Sequence, residues 1–580
     1  MGALWLLSTY PKVADHTVSL SEEDVCPQVQ PWKAPDGAFP PSAPSSDKLA
    51  SLISGAVQVN TSVYDDYPLP VSSSPQVWQD TFGPMREYLR SAFPLIHTTD
   101  KVKKELINEH GLLYTWTGSE ESLKPIVFMA HQDVVPVDPT TISRWTHPPF
   151  SGYIDQEKGL VYGRGAMDDK ASLISLMASF ESLLELDFKP HRSIILSFGF
   201  DEEASGTQGA EALANYLESV YGKHQDGKGV LMIVDEGNGV DATTFGIPIA
   251  APAVSEKGYL DAKVTVNGKG GHSSQPPKHT TIGILSKIIG HIEDNPHIPS
   301  LVLREDGNKE DSPGLKTMLC VRDAPKVKGT SLGRAVEKLI EARKKLANTR
   351  FSCNRSRLLR SRAKKALEKA RDDFLQIARE EEALGEFVTT QAVDLIHGGV
   401  KINALPEEAS AIINHRINVE ETVEDVRTRL TKLVEEMASK YDCQVAKWGN
   451  TKVDKESHCV VVLEDAFESA LEPAPRTPTE GKEASPYRLL SSVIRRTWPL
   501  GDNQYIRVVP TLMQGNTDTK SYHALSRHIF RFAPTSLDKL EGPQDGGIHT
   551  VDERVQIDTL TKGFEFYTSL MTAVQEQTLP

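Results

Sequence analysis

A chain of 580 residues is too long for one compact core and is expected to fold as two or three domains. Its formal net charge of -15 sets the average surface against polyanions, which excludes nucleic acid as a partner and favours small molecules or peptides as ligands. Five cysteines, Cys26, Cys320, Cys353, Cys443 and Cys459, show no CxxC spacing, so the sequence offers no zinc knuckle or thioredoxin-type motif and no support for a disulfide framework.

The chain opens on Met1-Gly2-Ala3-Leu4-Trp5-Leu6-Leu7, an apolar run too short to span a bilayer and without the basic flank of a signal peptide. A soluble chain with no membrane anchor is expected. Residues 8 to about 75 are rich in Pro, Ser and Asp, and 1–75 reads as an extended leader. Two sequons, Asn60-Thr61-Ser62 and Asn354-Arg355-Ser356, would mark a glycoprotein in a secretory lumen.

From Trp78 to Ala92 the apolar spacing predicts a helix. Pro125 to Ala130 is a continuous apolar run, the pattern of a strand buried on both faces, and it ends at His131-Gln132-Asp133. An Asp two residues after a His lies on the same face and can hold the imidazole in orientation as a metal ligand. A short strand from Gly159 to Tyr162 leads into Gly163-Arg164-Gly165-Ala166-Met167-Asp168-Asp169-Lys170, before a helix from Ala171 to Leu186. That turn matches no phosphate loop, and its two aspartates favour a cation.

A second buried strand, from His191 to Phe200, ends at Asp201-Glu202-Glu203, where three adjacent carboxylates repel one another unless a cation stands nearby. A helix from Gly209 to Tyr221 follows, and then a strand from Val230 to Val234 that ends at Asp235-Glu236. Apolar strands alternating with helices predict an α/β domain with a mostly parallel sheet, whose ligands sit beyond the strand carboxyl ends. His131, Asp168, Glu203 and Asp235 or Glu236 all fall there.

With Gly268-Lys269-Gly270-Gly271-His272-Ser273-Ser274, Gly515-Asn516-Thr517-Asp518-Thr519 and Gly547-Ile548-His549 added, these motifs resemble the aminoacylase and dizinc carboxypeptidase family of metallopeptidases, and within it the fungal carboxypeptidase S branch. The resemblance runs from about residue 78 to the end. It implies two Zn2+ ions per chain: His131 binding one with Asp235 or Glu236, His549 binding the other with Glu203, and Asp168 bridging them. Imidazole and carboxylate oxygens at roughly 2 Å are ordinary zinc ligands, and ions about 3.5 to 4 Å apart can share a hydroxide. In this scheme Glu202 is the general base and Asp133 orients His131.

After Pro252, a strand from Ser255 to Val266, a helix from His279 to Asn295, a strand from Ala409 to Val419, a helix from Val423 to Lys440 and a strand from Cys443 to Trp448 suggest an inserted α+β, ferredoxin-like lid over 253–455. The catalytic domain would comprise 76–252 and 456–580. By resemblance the lid serves as a homodimerisation domain, His272 stabilises the oxyanion of the reaction, and Asn403 and Arg416 bind substrate. Within 299–385, dense Lys, Arg and Glu at helical spacing predict a solvated helical insertion with i,i+4 pairs rather than a basic docking patch. Lys520 stands where relatives often carry Arg.

The implied activity is that of a carboxypeptidase on short peptides with a Gly-Xaa preference. Hydrolysis or synthesis of N-acyl amino acids is the alternative. The vacuolar lumen is the location implied by resemblance.

Overall fold

The computed structural model describes residues 25–34, 43–222, 228–301, 310–349, 356–380, 385–449, 457–537, 546–575 and 579. Asn354 with its sequon, Cys353 and the apolar N-terminal run lie outside them. The chain divides into two units, one formed by Met1–Pro27 with Met318–Ala383, the other by Gln28–Thr317 with Leu384–Pro580.

The larger unit contributes, in chain order, α1 (Ser46–Val57), α2 (Pro75–Ala92), β1 (Val102–Ile107), β2 (Gly111–Trp116), β3 (Ile126–His131), α3 (Lys170–Glu185), β4 (Ile194–Gly199), α4 (Ala210–Tyr221), β5 (Met232–Asn238), β6 (Ala253–Glu256) and β7 (Gly258–Gly268). It continues with α5 (Thr281–Glu293), β8 (Thr390–Gly398), β9 (Glu408–Ile417), α6 (Val423–Ala438), β10 (Gln444–Lys447), β11 (Cys459–Asp465), α7 (Ser485–Thr497), β12 (Thr511–Met513), β13 (Ile529–Phe532) and α8 (Ile557–Ala573), besides shorter pieces.

The main sheet has the order β1-β2-β4-β3-β5-β13-β6-β12, and its central strands β4, β3, β5 and β13 run parallel. Every residue of β3 and β4 is buried, as a strand covered on both faces requires. Side chains alternate across the sheet. Phe128, Leu196 and Phe198 join the helical layer of α1, α3 and α8, while Val127, Met129 and Ile195 meet Leu213 and Leu217 of α4. The parallel strands therefore end together, at His131, Gly199 and Asp235-Glu236.

An extended leader over 1–75 does not hold for residues 46–57. They form α1 because Leu49, Ala50, Ile53, Ala56 and Val57 recur at helical spacing and are fully buried in the main core. Ser45 caps the helix by accepting the Lys48 N–H.

The accessory domain is a five-stranded sheet of order β8-β9-β7-β11-β10, with α5 and α6 packed on its apolar face. Leu260, Ala262, Val264 and Val266 supply the period-two stripe of β7. The strand expected from Ser255 to Val266 is in fact two: Ala253–Glu256 belongs to the main sheet, and the accessory sheet begins at Gly258.

The expectation on cysteines is also corrected, since Cys443–Cys459 and Cys26–Cys320 form disulfides. Isolated cysteines as far apart as 294 residues carry no local signal that folding will bring them together. In the smaller unit, helices Ser331–Asn348 and Ser356–Glu380 pack as a hairpin around Val336, Leu339, Leu367 and Phe374. Exposed i,i+4 pairs Glu341–Lys345 and Lys369–Asp373 line its surface. Among the described residues no helix is long and apolar enough to cross a membrane.

Candidate metal centre

Three overlapping groups of donor atoms stand beyond the carboxyl ends of the parallel strands, with all atoms of each group within 4.8 Å: His131, Asp168 and Glu236; Asp168, Glu203 and His549; and His131, Glu202 and Glu203. Asp168 is common to the first two. Its Oδ1 lies 3.0 Å from His131 Nε2 and its Oδ2 lies 3.1 Å from His549 Nε2. Glu236 Oε1 is 3.7 Å from His131 Nε2, and Glu203 Oε1 is 3.2 Å from His549 Nε2.

Each of these side chains is held by neighbours that the sequence motifs carry with them. His131 Nδ1 faces the Asp133 carbonyl at 3.0 Å and the Asp133 carboxylate at 3.4 Å, while the other carboxylate oxygen accepts the Glu203 N–H. Asp133 thus ties the end of β3 to the acidic turn after β4. Buried Gln132 donates to the carbonyls of His110, Phe198 and Gly199 and fixes the same strand ends. Asp201 accepts the N–H groups of Gln208 and Gly209 at the start of α4, so the first acid of the triplet serves that helix.

Glu553, fully buried, clamps the turn that carries Asp168. It accepts from Arg164 Nη1 at 2.6 Å and from the backbone N–H of Gly165, Met167 and Asp168. Lys170, also fully buried, donates to the carbonyls of Ala56 and Val59 at the end of α1, and the Thr61 hydroxyl donates to the Gln132 carbonyl. The segment after α1 therefore braces the His131 loop. Asp518 sits against Gly199 and Gly206, where a Cβ on either would come within 2.4 Å of its carboxylate.

The charges do not balance without a cation. Burial pushes the Glu202 and Glu236 carboxyls well above the usual range, and neighbouring carboxylates push the same way. Burial alone would lower the His131 imidazole, but Glu236, Asp133 and Asp168 outweigh it and hold it well above its ordinary value. His549 is raised to about 10, chiefly through its contacts with Asp168 and Glu203. Imidazoles and carboxylate oxygens are the donor set that zinc takes, and the shared Asp168 gives room for two ions. The residues fit a dinuclear metal centre.

Residues 127–573 match peptidase family M20/M25/M40. The chain belongs to this peptidase family. This M20 chain is 37% identical over 511 residues to carboxypeptidase S of Saccharomyces cerevisiae, covering 87% of the chain and 80% of the relative. It is 31% identical over 485 residues to N-fatty-acyl-amino acid synthase/hydrolase PM20D1 of Mus musculus, covering 83% and 80%. Its fold is similar to the crystal structure of an M20 family metallo-carboxypeptidase, Sso-CP2 from Sulfolobus solfataricus, with a TM-score of 0.53 at 17% identity over 91% of this chain and 99% of that one.

Of the two acids at the end of β5, only Glu236 enters a donor group. Asp235 points into the sheet, 2% exposed, with no hydrogen-bond partner for Oδ2 among the described residues. His272 and Asn403 stand exposed on a two-stranded ribbon in which His272 pairs with Ala404. Among the described residues no hydrogen bond or ion pair joins either of them to the donor groups. Arg416 lies on β9 with its Nη1 donating to Asn516 Oδ1 at 3.1 Å.

Sequence reasoning left two anchors without a role, Glu256 and Arg531, which form a fully buried ion pair at 3.0 Å. Arg531 interrupts the apolar strand Ile529–Phe532, and a lone charge in a strand covered on both faces is the signal that could have found it.

Proposed function

We propose that this M20 chain is a dizinc metallo-carboxypeptidase that hydrolyses the C-terminal peptide bond of short peptides, with glycine preferred before that bond. The observation that carries the reading is Asp168, with one carboxylate oxygen at each of two imidazoles in overlapping donor groups. In this assignment His131 and Glu236 would hold one Zn2+, His549 and Glu203 would hold the other, and Asp168 would serve both. Bound zinc supplies Lewis acidity and makes a water acidic enough to attack near neutral pH.

The remaining roles fall to residues of the chain. Glu202, in the third donor group and outside the two zinc sets, takes the proton of the attacking water and returns it to the leaving amine. Asp133 fixes the His131 ring. Arg416 receives the substrate carboxylate, His272 stabilises the oxyanion, and Asn403 binds the carbonyl side. The Gly-Xaa preference is carried over from the resemblance of the sequence motifs to the carboxypeptidase S branch.

The 31% identity to an N-fatty-acyl-amino acid synthase/hydrolase keeps an N-acyl-amino-acid hydrolase as the second reading. The 37% identity to carboxypeptidase S favours the first; the cavity of about 390 Å³ beside Asp168 and Glu236 mixes hydroxyl side chains with Met167, Val240 and Ile548 and does not separate the two. Turnover of an N-blocked Gly-Leu dipeptide, with N-oleoyl-leucine slower, is the expected result; the reverse order would replace the first reading by the second. Glu202→Ala should cut kcat by about 10²- to 10⁴-fold while metal analysis still finds two zinc ions per chain. Full activity in that variant would remove Glu202 from the mechanism.

We read the accessory domain as a ferredoxin-like lid that also forms a homodimer. Its edge strand β8 exposes Leu395 and Ile396, and the connection beyond it exposes Val400 (99%) and Ile402 (96%), an apolar edge of the kind that pairs with a second copy. His272 and Asn403 stand on the ribbon next to that edge, from which they can complete the partner's site. A vacuolar lumen suits the two disulfides, which an oxidising secretory route forms, and the exposed Asn60 sequon, which such a route can glycosylate.

A further inference from the structure

We infer that Asn516 is a positioning residue that holds the Arg416 guanidinium open for the substrate carboxylate, an inference that rests on the carboxypeptidase reading above. Asn516 lies between β12 and the short helical turn Asp518–Ser521. The loop has little freedom. Thr517 Oγ1 donates to Glu256 Oε1 at 2.7 Å, Thr519 Oγ1 donates to Glu256 Oε2 at 3.1 Å, and Arg531 donates to both Glu256 and Thr519. All four of these side chains are buried.

On that base the Asn516 amide makes two bonds of opposite sense. Nδ2 donates to the Lys257 carbonyl at 2.7 Å, and Oδ1 accepts from Arg416 Nη1 at 3.1 Å. A carbonyl only accepts and a guanidinium only donates, so the two contacts fix which way the amide faces. Lys257 belongs to the crossing between main sheet and accessory sheet, and Arg416 sits opposite Tyr259 in the register of β7 and β9, with its guanidinium 5.8 Å from that ring. Asn516 thus braces a side chain of the accessory domain from a loop of the catalytic domain.

The chemistry of the brace matters. A neutral amide oxygen takes one N–H of the fork and leaves the charge in place, whereas a carboxylate there would neutralise it. Among the described residues no carboxylate forms a salt bridge with Arg416, and the nearby Lys257 ammonium is turned away onto the Val388 carbonyl. The uncompensated guanidinium calls for an anion, and the free carboxylate of a peptide is the one the proposed reaction supplies.

The test compares an N-blocked Gly-Leu dipeptide bearing a free C-terminal carboxylate with its C-terminal amide, using the full-length zinc-loaded enzyme. Asn516→Ala should raise KM for the acid about tenfold, leave kcat within about twofold, and leave kcat/KM for the amide unchanged. Asn516→Asp, nearly isosteric, should lose more on the acid, because the new carboxylate pairs with Arg416. The double variant with Arg416→Ala should be no worse on the acid than Arg416→Ala alone. Equal losses on both substrates, or additive losses in the double variant, would overturn the inference, and melting temperatures separate either result from misfolding. A wild-type enzyme that does not favour the acid over the amide would instead remove the carboxypeptidase reading, an outcome visible before any variant is made.

Discussion

Asp235 and Glu236 are adjacent acids with different surroundings, and an irregularity in β5 separates them. The register of β5 with β3, in which Val234 pairs with Phe128, puts Asp235 on the face of His131, but the pairing with β13 slips between Asp235 and Asn238, and at this irregularity, where Gly237 has φ 144°, Glu236 comes within 3.7 Å of His131. Asp235 faces the buried Arg531, its register partner on β13. Glu236→Gln should therefore lower zinc content toward one ion per chain and cut activity by at least tenfold, while Asp235→Asn keeps two ions. Metal analysis of the two purified variants checks this, and the opposite pattern would exchange their roles. The choice was not legible in the sequence, because either acid could terminate the strand and only the irregularity of β5 after Asp235 brings Glu236 to His131. His131, Asp168 and Glu203 were legible for the converse reason: each follows a strand or glycine turn whose apolar pattern locates it, and the charge cluster has no explanation without a cation.

At the scale of elements, the turn from Gly163 to Asp169 depends on a residue almost four hundred positions away. Glu553 takes four donors from that turn, and Arg164 with Glu553 is a buried pair, at 5% and 1% side-chain exposure. Removing one partner of such a pair leaves the other charge buried and unpaired, at a cost of about 3 to 5 kcal/mol. Glu553→Gln should destabilise the chain by that order in urea titration and lower zinc affinity as the Asp168 turn loosens; a variant with unchanged midpoint and metal content would show the clamp to be dispensable. Glu553 stands four residues after His549 in the sequence, and nothing local announces a contact at such separation. Helix α1 was hidden for a different reason: Pro- and Ser-rich flanks outweighed five apolar residues at helical spacing. The accessory elements read from periods of 2 and 3.6 were met almost to their ends, but β8 and β11 were not read, and a lid ending at 455 cuts off β11, which pairs with β7 inside the accessory sheet; the split at Lys257 was hidden because both halves are strand and only the change of sheet divides them.

The whole molecule joins two responses to its surroundings, one to concentration and one to pH. If the apolar edge of β8 pairs with a second copy, Val400→Lys with Ile402→Lys should convert a dimer into a monomer in sedimentation velocity, with zinc content unchanged. If His272 acts in the partner's site, the monomer should also lose turnover; a fully active monomer would place His272 outside the reaction. The pH response follows from buried neutral histidines. Burial, with the nearby His297 and Arg429, lowers His415 to about 4 against the pull of the Leu260 and Ile413 backbone contacts. With the folded value below the unfolded 6.5, the unfolded chain binds more protons between those values, so stability is full above pH 6.5 and is lost as pH falls toward 4. For a group as fully buried as His415, the loss at pH 4.5 is about 2 to 3 kcal/mol. His523 and His528, also lowered to about 4 by burial, act in the same direction. Buried carboxyls raised to about 7, Asp201 and Glu386 among them, act the other way in enzyme and variant alike, so the test is the comparison: in urea titration His415→Leu should lose less stability between pH 7.5 and pH 4.5 than the parent enzyme does, since the variant has no proton to take up. An undiminished difference in the variant would mean that His415 is already charged when folded. With zinc removed from every sample, the metal-centre carboxyls titrate alike in enzyme and variant and cancel from the difference between them, which separates the histidine contribution from metal release.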